Sequence, residues 1–391
     1  MNQDTRRLLA KFPVGYHELH PDANFNFQMN RCVAFSGDVS ALDDMRNVAG
    51  RIRNNADWIR EFLRLADAAF AAGAERKAAY YLRAAEFYMD AADPERRAYR
   101  ERFVRIVREA HGIRDTDIDR VPYPQAGPSA YLPSLRLGKG GKRGTLLTIG
   151  GFDGYFEESF GIAEAFAAEG YDVIHFEGPG QGGAGEQGIP MTHQWEIPVG
   201  AILDYYGVDS AAAIGLSLGG YLVLRAAAFE PRIKRAVAWD IIYDFFECGL
   251  SQLPVRTRAV LRAACRLRAK PAVNAVVSSR MRTNPTVDWG VRQGMRVFGE
   301  STPYGFFRKM LRLQTRSFSK DIRADVLLLA GSRDHFVPLA MLNKQIRAIT
   351  NARSLTTRLF TEAQSAQAHC QLGNVPLAIR VILDWLETTE V

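Results

Sequence analysis

Ala211-Ala212-Ala213-Ile214-Gly215-Leu216-Ser217-Leu218-Gly219-Gly220-Tyr221-Leu222-Val223-Leu224 decides the fold. An apolar run of strand length meets G-x-S-x-G and passes into an Ala/Leu-rich run of helical texture. A strand that turns sharply into a helix holds the residue at the turn in a strained conformation and presents its side chain beyond the strand end. Small neighbours must make room there, and Gly215, Gly219 and Gly220 provide it. Ser217 occupies the turn, and the pattern predicts a nucleophilic serine.

The surrounding sequence repeats the same alternation. Residues 145–149 read as a short strand ending in Gly150-Gly151, and 159–169 as a helix. Residues 171–176 read as a strand ending in Glu177-Gly178-Pro179-Gly180-Gln181-Gly182. Strands follow at 235–239, 326–330 and 358–360, and an amphipathic helix at 377–387. Upstream, 131–137 reads as a strand, and the Gly/Lys turn 138–144 joins it to the next. Strand–helix alternation predicts an α/β fold, a mostly parallel sheet with helices on both faces. Residues 1–125 are helical in texture and are expected to form an N-terminal cap. Val121-Pro122-Tyr123-Pro124 punctuates its end. The core is expected over 126–240 and 321–391. The stretch 241–320 breaks the alternation and is too long for a plain connection. It is expected to be a helical lid above the carboxyl ends of the strands, where ligands bind in open α/β sheets.

A serine hydroxyl needs a base. The sequence holds seven histidines, and five of them (His17, His20, His111, His175 and His193) precede Ser217. In a strand–serine–helix arrangement of this kind the order is Ser, acid, His. His369, after the last strand and before the final helix, fits the base. His335 directly follows the best acid and would point elsewhere. That acid is Asp334, just past the 326–330 strand, placed to accept the Nδ1 proton of His369. Asp321 and Asp325 lie at the wrong end of that strand, and Asp240 and Asp244 are the fallback. Two backbone amides should stabilise the oxyanion. Leu218 supplies one, and Phe152, in the loop after residues 145–149, supplies the other.

Other features point to fewer functions. The 177–182 run lacks the Lys and Ser/Thr of a P-loop and reads as a turn shaping the pocket floor. Arg256, Arg258, Arg262, Arg266, Arg268 and Lys270 lie in the expected lid. Arg258, Arg262 and Arg266 share one helical face, which reads as solvated, with an anionic substrate or carrier as the alternative. No aromatic residues interleave with them as single-stranded nucleic acid would require. The net charge of +7 is otherwise scattered, and no nucleic-acid partner is expected. The four cysteines are far apart, which argues against a zinc site or a disulfide framework. No window reaches the roughly 18 apolar residues of a membrane span, and the first residues lack a signal-peptide core. A cytoplasmic enzyme without cofactor or metal, acting on a small-molecule acyl compound away from membranes, is expected.

The chain also resembles one branch of the α/β-hydrolases. That branch includes 2,6-dihydroxypseudooxynicotine hydrolase, the fungal chain-shortening hydrolases of naphthopyrone pigment pathways and, more distantly, the fermentation–respiration switch protein. The resemblance runs from about residue 24 to the end. It rests on residues 24–31 (Asn-Phe-Asn-Phe-Gln-Met-Asn-Arg), 80–88, 150–154, 177–182, the Ser217 turn, and Ala368-His369-Cys370-Gln371. It implies a helical N-terminal segment over the active site, a homodimer, and hydrolysis of a carbon–carbon bond in an acyl-aryl ketone or β-dicarbonyl. It further implies an extra acid in the substrate pocket, for which Asp240, Asp244 and Glu247 are candidates. Ester or thioester cleavage, acyl transfer, and a catalytically silent binding protein are the rival readings.

Overall fold

The computed structural model describes residues 1–389. Glu390 and Val391, which the sequence reading assigns to the second part of the core, lie outside the described residues. The chain opens with helices α1 (Gln3–Leu9), α2 (Ala23–Ser36), α3 (Ala41–Ala49), α4 (Asn55–Ala71), α5 (Glu75–Tyr88) and α6 (Pro94–Ala110). α6 starts where Asp93-Pro94 stands in the sequence. The Asp93 carboxylate caps the Glu95 amide, and Pro94, lacking an N–H, loses nothing in the first turn. These helices bury a core of their own around Trp58, Phe62, Tyr81 and Phe103.

The sheet has eight strands: β1 (Ile118–Pro122), β2 (Tyr131–Leu137), β3 (Thr145–Ile149), β4 (Asp172–Phe176), β5 (Ala211–Leu216), β6 (Ile233–Trp239), β7 (Asp325–Gly331) and β8 (Ser354–Phe360). Their order is β1-β2-β4-β3-β5-β6-β7-β8. β1 and β2 run antiparallel at one edge, and β3 to β8 are parallel. Between them lie α7 (Phe160–Ala168), α8 (Gly182–Glu186), α9 (Glu196–Tyr206) and α10 (Gly219–Phe229). The insertion between β6 and β7 holds α11 (Phe245–Gly249), α12 (Val255–Arg266), α13 (Lys270–Thr283), α14 (Pro285–Val297) and α15 (Pro303–Met310). α16 (Ala340–Ala348) and α17 (Val375–Thr388) complete the chain.

Side-chain alternation divides the central strands between two cores. In β7, Val326, Leu328 and Ala330 join the core that continues into the insertion. Leu327 and Leu329 face the opposite core, with Ile379, Ile382 and Trp385 of α17. Burial on both faces is why these strands read as continuous apolar runs.

Three readings from sequence change. The 121–124 stretch is not only punctuation, because Ile118–Pro122 is the edge strand β1, where a proline is tolerated at the end of a ladder. The 138–144 turn joins β2 to β3 in the chain, but β4 lies between them in the sheet. α9 and α16, unassigned from sequence, supply crossovers between parallel strands, from β4 to β5 and from β7 to β8. Among the described residues no helix is long and apolar enough to cross a membrane.

Candidate active site

β5 ends at Leu216 and α10 begins at Gly219, so the chain reverses within two residues. Ser217 sits between them at φ 59°, a left-handed conformation that side chains rarely adopt. The approach is too close for larger residues. A Cβ on Gly215 would lie 2.0 Å from the Gly219 carbonyl oxygen, and one on Gly220 would lie 2.0 Å from that of Asp240. The Ser217 amide is fixed by donating to the Trp239 carbonyl at 2.8 Å.

His369 lies in the loop between β8 and α17. Its Nε2 is 2.8 Å from Ser217 Oγ, and its Nδ1 is 2.7 Å from Asp334 Oδ2. The other Asp334 oxygen accepts the amides of Phe336 and Val337 at 2.8 and 2.9 Å, which sets the carboxylate's orientation. Asp240 also reaches Nδ1, with its Oδ2 2.7 Å away. Burial would push the His369 pKa down. The negative charges of Asp334 and Asp240 offset this and raise it well above the ordinary value. Beyond His369, Cys370 and Gln371 both have left-handed backbones, at φ 52° and 50°. That strain is held by Asp240 accepting the Cys370 amide at 2.6 Å and by Trp239 Nε1 donating to the Cys370 carbonyl at 3.1 Å.

The loop after β3 passes over the serine. A Cβ on Gly151 would sit 2.9 Å from Ser217 Cβ. Gln181 Nε2 donates to the carbonyls of Gly150 and Gly151 at 2.7 and 3.0 Å. In a trans peptide the N–H points opposite the C=O, so holding the Gly151 carbonyl turns the Phe152 amide the other way. Neither the Phe152 nor the Leu218 amide has an acceptor among the described residues. The 177–182 turn, expected at the pocket floor, therefore braces this loop. Glu177 adds a second brace by accepting the amides of Phe156 at 2.9 Å and Gly183 at 2.5 Å. Burial, with Glu157 nearby, pushes the Glu177 carboxyl up to about 7.

Ser159 Oγ and His175 Nε2 form another close pair, at 3.1 Å. His175 Nδ1, however, faces the Thr148 hydroxyl and carbonyl in place of a carboxylate. Burial pushes the His175 pKa down, so this imidazole ties α7 to the sheet. Asp240, His369 and Cys370 bring an oxygen, a nitrogen and a sulfur within 4.8 Å of one another. They are a poor metal set, because both His369 nitrogens are engaged and burial pushes the Cys370 thiol up to about 12.

Residues 144–359 match the family described as alpha/beta hydrolase fold. The chain belongs to the α/β-hydrolases. It is similar to the alpha/beta hydrolase ucsC of an Acremonium species, 30% identical over 277 residues that cover 59% of this chain and 56% of that one. The chain thus spans little more than half the length of that relative. The 20-hydroxy-prefusarin hydrolase FUS2 of Gibberella moniliformis is 28% identical over 95% of this chain and 98% of its own. The crystal structure of 2,6-dihydroxy-pseudo-oxynicotine hydrolase shares the fold, with a TM-score of 0.59 and 19% identity, covering 91% of this chain and 94% of that one.

In this α/β-hydrolase the serine-type cluster sits among aromatic rings. Phe27 of α2 lies 5.2 Å from the His335 ring, 5.3 Å from Phe336 and 5.8 Å from His369. On the insertion side, Phe152 packs against Phe245 at 5.4 Å and Phe298 at 6.4 Å. The His335 ring lies tilted against Phe336 at 3.8 Å, and burial pushes its pKa to about 4, so it stays neutral. Phe27 lies in the 24–31 run already singled out in the sequence, but nothing local indicated that it would reach His369.

The candidate pocket acids separate. Asp240 is buried against His369. Asp244 caps the Glu247 amide and accepts Arg262 at 3.0 Å. Glu247 takes Arg262 at 2.6 Å and Arg258 at 2.7 Å. Two of the expected pocket acids are thus committed to the insertion, and Arg258 and Arg262 are ion-paired instead of forming a solvated face. Arg256, Arg266, Arg268 and Lys270 remain exposed.

A buried network joins the N-terminal helices to the β3 loop. Arg31 pairs with Asp153 at 3.1 Å and Glu158 at 2.7 Å. Arg83 pairs with Glu158 at 2.9 Å and Glu86 at 2.6 Å, and donates to the Asp153 carbonyl at 2.6 Å. Contact between insertion and N-terminal helices is lighter, with Trp289 stacked on Phe87 at 4.6 Å and donating to its carbonyl at 2.7 Å.

Proposed function

We propose that the chain is a hydrolase that opens an acyl compound through Ser217, His369 and Asp334, and that the bond broken joins two carbons of a ketone or β-dicarbonyl. The observation that carries the reading is the relay of 2.8 Å from Ser217 Oγ to His369 Nε2 and 2.7 Å from His369 Nδ1 to Asp334. His369 Nε2 takes the Ser217 proton as Oγ bonds to the carbonyl carbon. The amides of Phe152 and Leu218 receive the oxyanion. The tetrahedral centre collapses, the carbon–carbon bond breaks, and His369 returns the proton to the departing carbon. Water, deprotonated by His369, then frees the acyl group from Ser217 as a carboxylic acid.

Two observations support a carbon leaving group. A departing carbanion needs its proton at once, and the imidazolium that delivers it is stabilised by adjacent carboxylates. The aromatic surroundings of Phe27, Phe152, Phe245 and Phe336 suit a flat, conjugated substrate. Two similar proteins carry the names 20-hydroxy-prefusarin hydrolase and 2,6-dihydroxy-pseudo-oxynicotine hydrolase, in keeping with a hydrolase reading. The same reading has residues 1–125 and 241–320 enclosing the substrate. It takes the enzyme to be a cytoplasmic homodimer with no nucleic-acid partner.

A fluorophosphonate probe should label the native chain at Ser217, and Ser217→Ala should abolish labelling while leaving the melting temperature unchanged. Product analysis on aryl ketones, β-diketones, esters and thioesters then identifies the bond. Labelling that persists in Ser217→Ala defeats the serine mechanism. Turnover confined to esters or thioesters defeats the carbon–carbon assignment.

A further inference from the structure

Asp240 is the first residue past β6 and Asp334 lies just past β7. These strands are parallel neighbours with Trp239 opposite Leu329, so their carboxyl ends open side by side beneath the 369–371 loop. Asp240 is 1% exposed and has φ 89°, a conformation that a non-glycine residue keeps only when its surroundings impose it. What imposes it is visible on both sides. Its carbonyl occupies the space that a Cβ on Gly220 would need, and its carboxylate faces the His369 loop.

The side chain has more partners than a structural brace requires. Oδ2 accepts the Cys370 amide at 2.6 Å, and Oδ1 lies 3.5 Å from Gln371 Nε2. Those contacts would suffice to hold the loop. Oδ2 also lies 2.7 Å from His369 Nδ1, the same distance as Asp334 Oδ2. Nδ1 carries one hydrogen, and its alignment gives that hydrogen to Asp334. Asp240 acts on the ring from the same distance as Asp334 and adds a second negative charge beside Nδ1. When His369 holds the Ser217 proton, two buried carboxylates share the positive charge.

We infer that Asp240 is a second acid for His369, a positioning residue that shares Nδ1 with Asp334 and sets how readily the imidazole accepts and returns the proton. The inference rests on Ser217 and His369 acting as nucleophile and base. The other titratable groups that act on His369 are the thiols of Cys370 and Cys248, the neutral ring of His335 and the phenol of Tyr16. Burial pushes both thiols up and His335 down, so none of them supplies the negative charge that Asp240 does.

The test measures fluorophosphonate labelling rates against pH for the full chain and for Ser217→Ala, Asp334→Asn, Asp240→Asn and the double Asp240→Asn/Asp334→Asn. Removing the acid of a single-acid triad lowers turnover by about 10⁴-fold. Here Asp334→Asn should keep labelling within about 10²-fold of wild type, and the double variant should fall by about 10⁴-fold. Asp240→Asn retains an oxygen for the Cys370 amide. It should move the acid limb of the profile down by about one pH unit, because the base loses one of two stabilising charges. An unshifted limb in Asp240→Asn, or Asp334→Asn as slow as the double variant, overturns the inference. If Asp240→Asn does not fold, Asp334→Asn decides alone, and a loss near 10⁴-fold is fatal. Labelling in Ser217→Ala would sink the underlying serine reading and is distinct from either result.

Discussion

Glu158→Gln tests whether the N-terminal helices are held to the catalytic loop by charge. Glu158 is buried and its two oxygens receive four donors. Arg83 Nε and the Tyr155 amide reach Oε1 at 2.9 and 3.0 Å, and Arg31 Nε and Nη2 reach Oε2 at 3.0 and 2.7 Å. Glutamine has nearly the same shape but only one oxygen, so its NH₂ must face a donor. Breaking a buried ion pair by changing one partner costs about 3–5 kcal/mol. Arg83 keeps Glu86 and Arg31 keeps Asp153, so the lower end applies, about 3 kcal/mol. For a chain of this size that lowers the melting temperature by roughly 4 °C. The pH dependence gives a second reading. Burial alone would raise the Glu158 pKa, and Arg31 and Arg83 overcome it and lower the value. A depressed carboxyl contributes stability above its unfolded pKa, about 4.3, and that contribution is lost as pH falls through the folded value. Differential scanning calorimetry of both proteins from neutral to acidic pH should show a gap that is constant down to about pH 5 and narrows below it. Equal melting temperatures at neutral pH, or a gap that widens on acidification, would refute the reasoning.

Gly220→Ala places a Cβ against the Asp240 backbone, and overpacking there should cost about 3 kcal/mol in urea denaturation; an unchanged midpoint would show that the Asp240 conformation is not constrained from below. Iodoacetamide near pH 8 should leave native activity intact, because burial keeps the Cys32, Cys248 and Cys370 thiols protonated. Mass spectrometry should find all four cysteines alkylated only after unfolding. Arg262→Ala removes ion pairs to Asp244 and Glu247, and limited proteolysis should then cut faster between α11 and α13, with a stability loss near 1 kcal/mol.

The Ser217 turn was legible because its evidence is local. A strand, three glycines and a helix lie in one continuous stretch, chain order leaves His335 and His369 as candidate bases, and His335 directly follows Asp334. β1 was missed because five residues ending in proline give almost no periodicity. The placement of β4 between β2 and β3 is a long-range pairing that no short window contains. Asp244 and Glu247 were read as pocket acids because their position after β6 is right for that. Their spacing of three, matched by the spacing of four between Arg258 and Arg262, was the available signal for an ion-paired brace. The contact of Asp240 with His369 depends on φ 89° at Asp240 and two left-handed residues after His369, and residue types alone do not encode it. Nothing local in the sequence signals that Phe27 packs beside His369, since α2 meets that loop only through tertiary packing.

The two helical segments around the site are attached in different ways. The N-terminal helices are joined to the β3 loop through arginines and glutamates that have no water to turn to. The insertion is joined to the rest through the apolar core it shares with the sheet, through the partly exposed pairs of Arg296 with Glu186 and Arg292 with Asp90, and by Trp289 against Phe87. An exchange of parts between relatives would therefore succeed at one seam and fail at the other. Replacing α12 to α15 leaves Ser217, Asp240, Asp334 and His369 in place, so that stretch is the natural cassette for changing which molecule is accepted. Transplanting the N-terminal helices would strand unpaired charges beneath the loop that carries Phe152, unless Asp153 and Glu158 travelled with them.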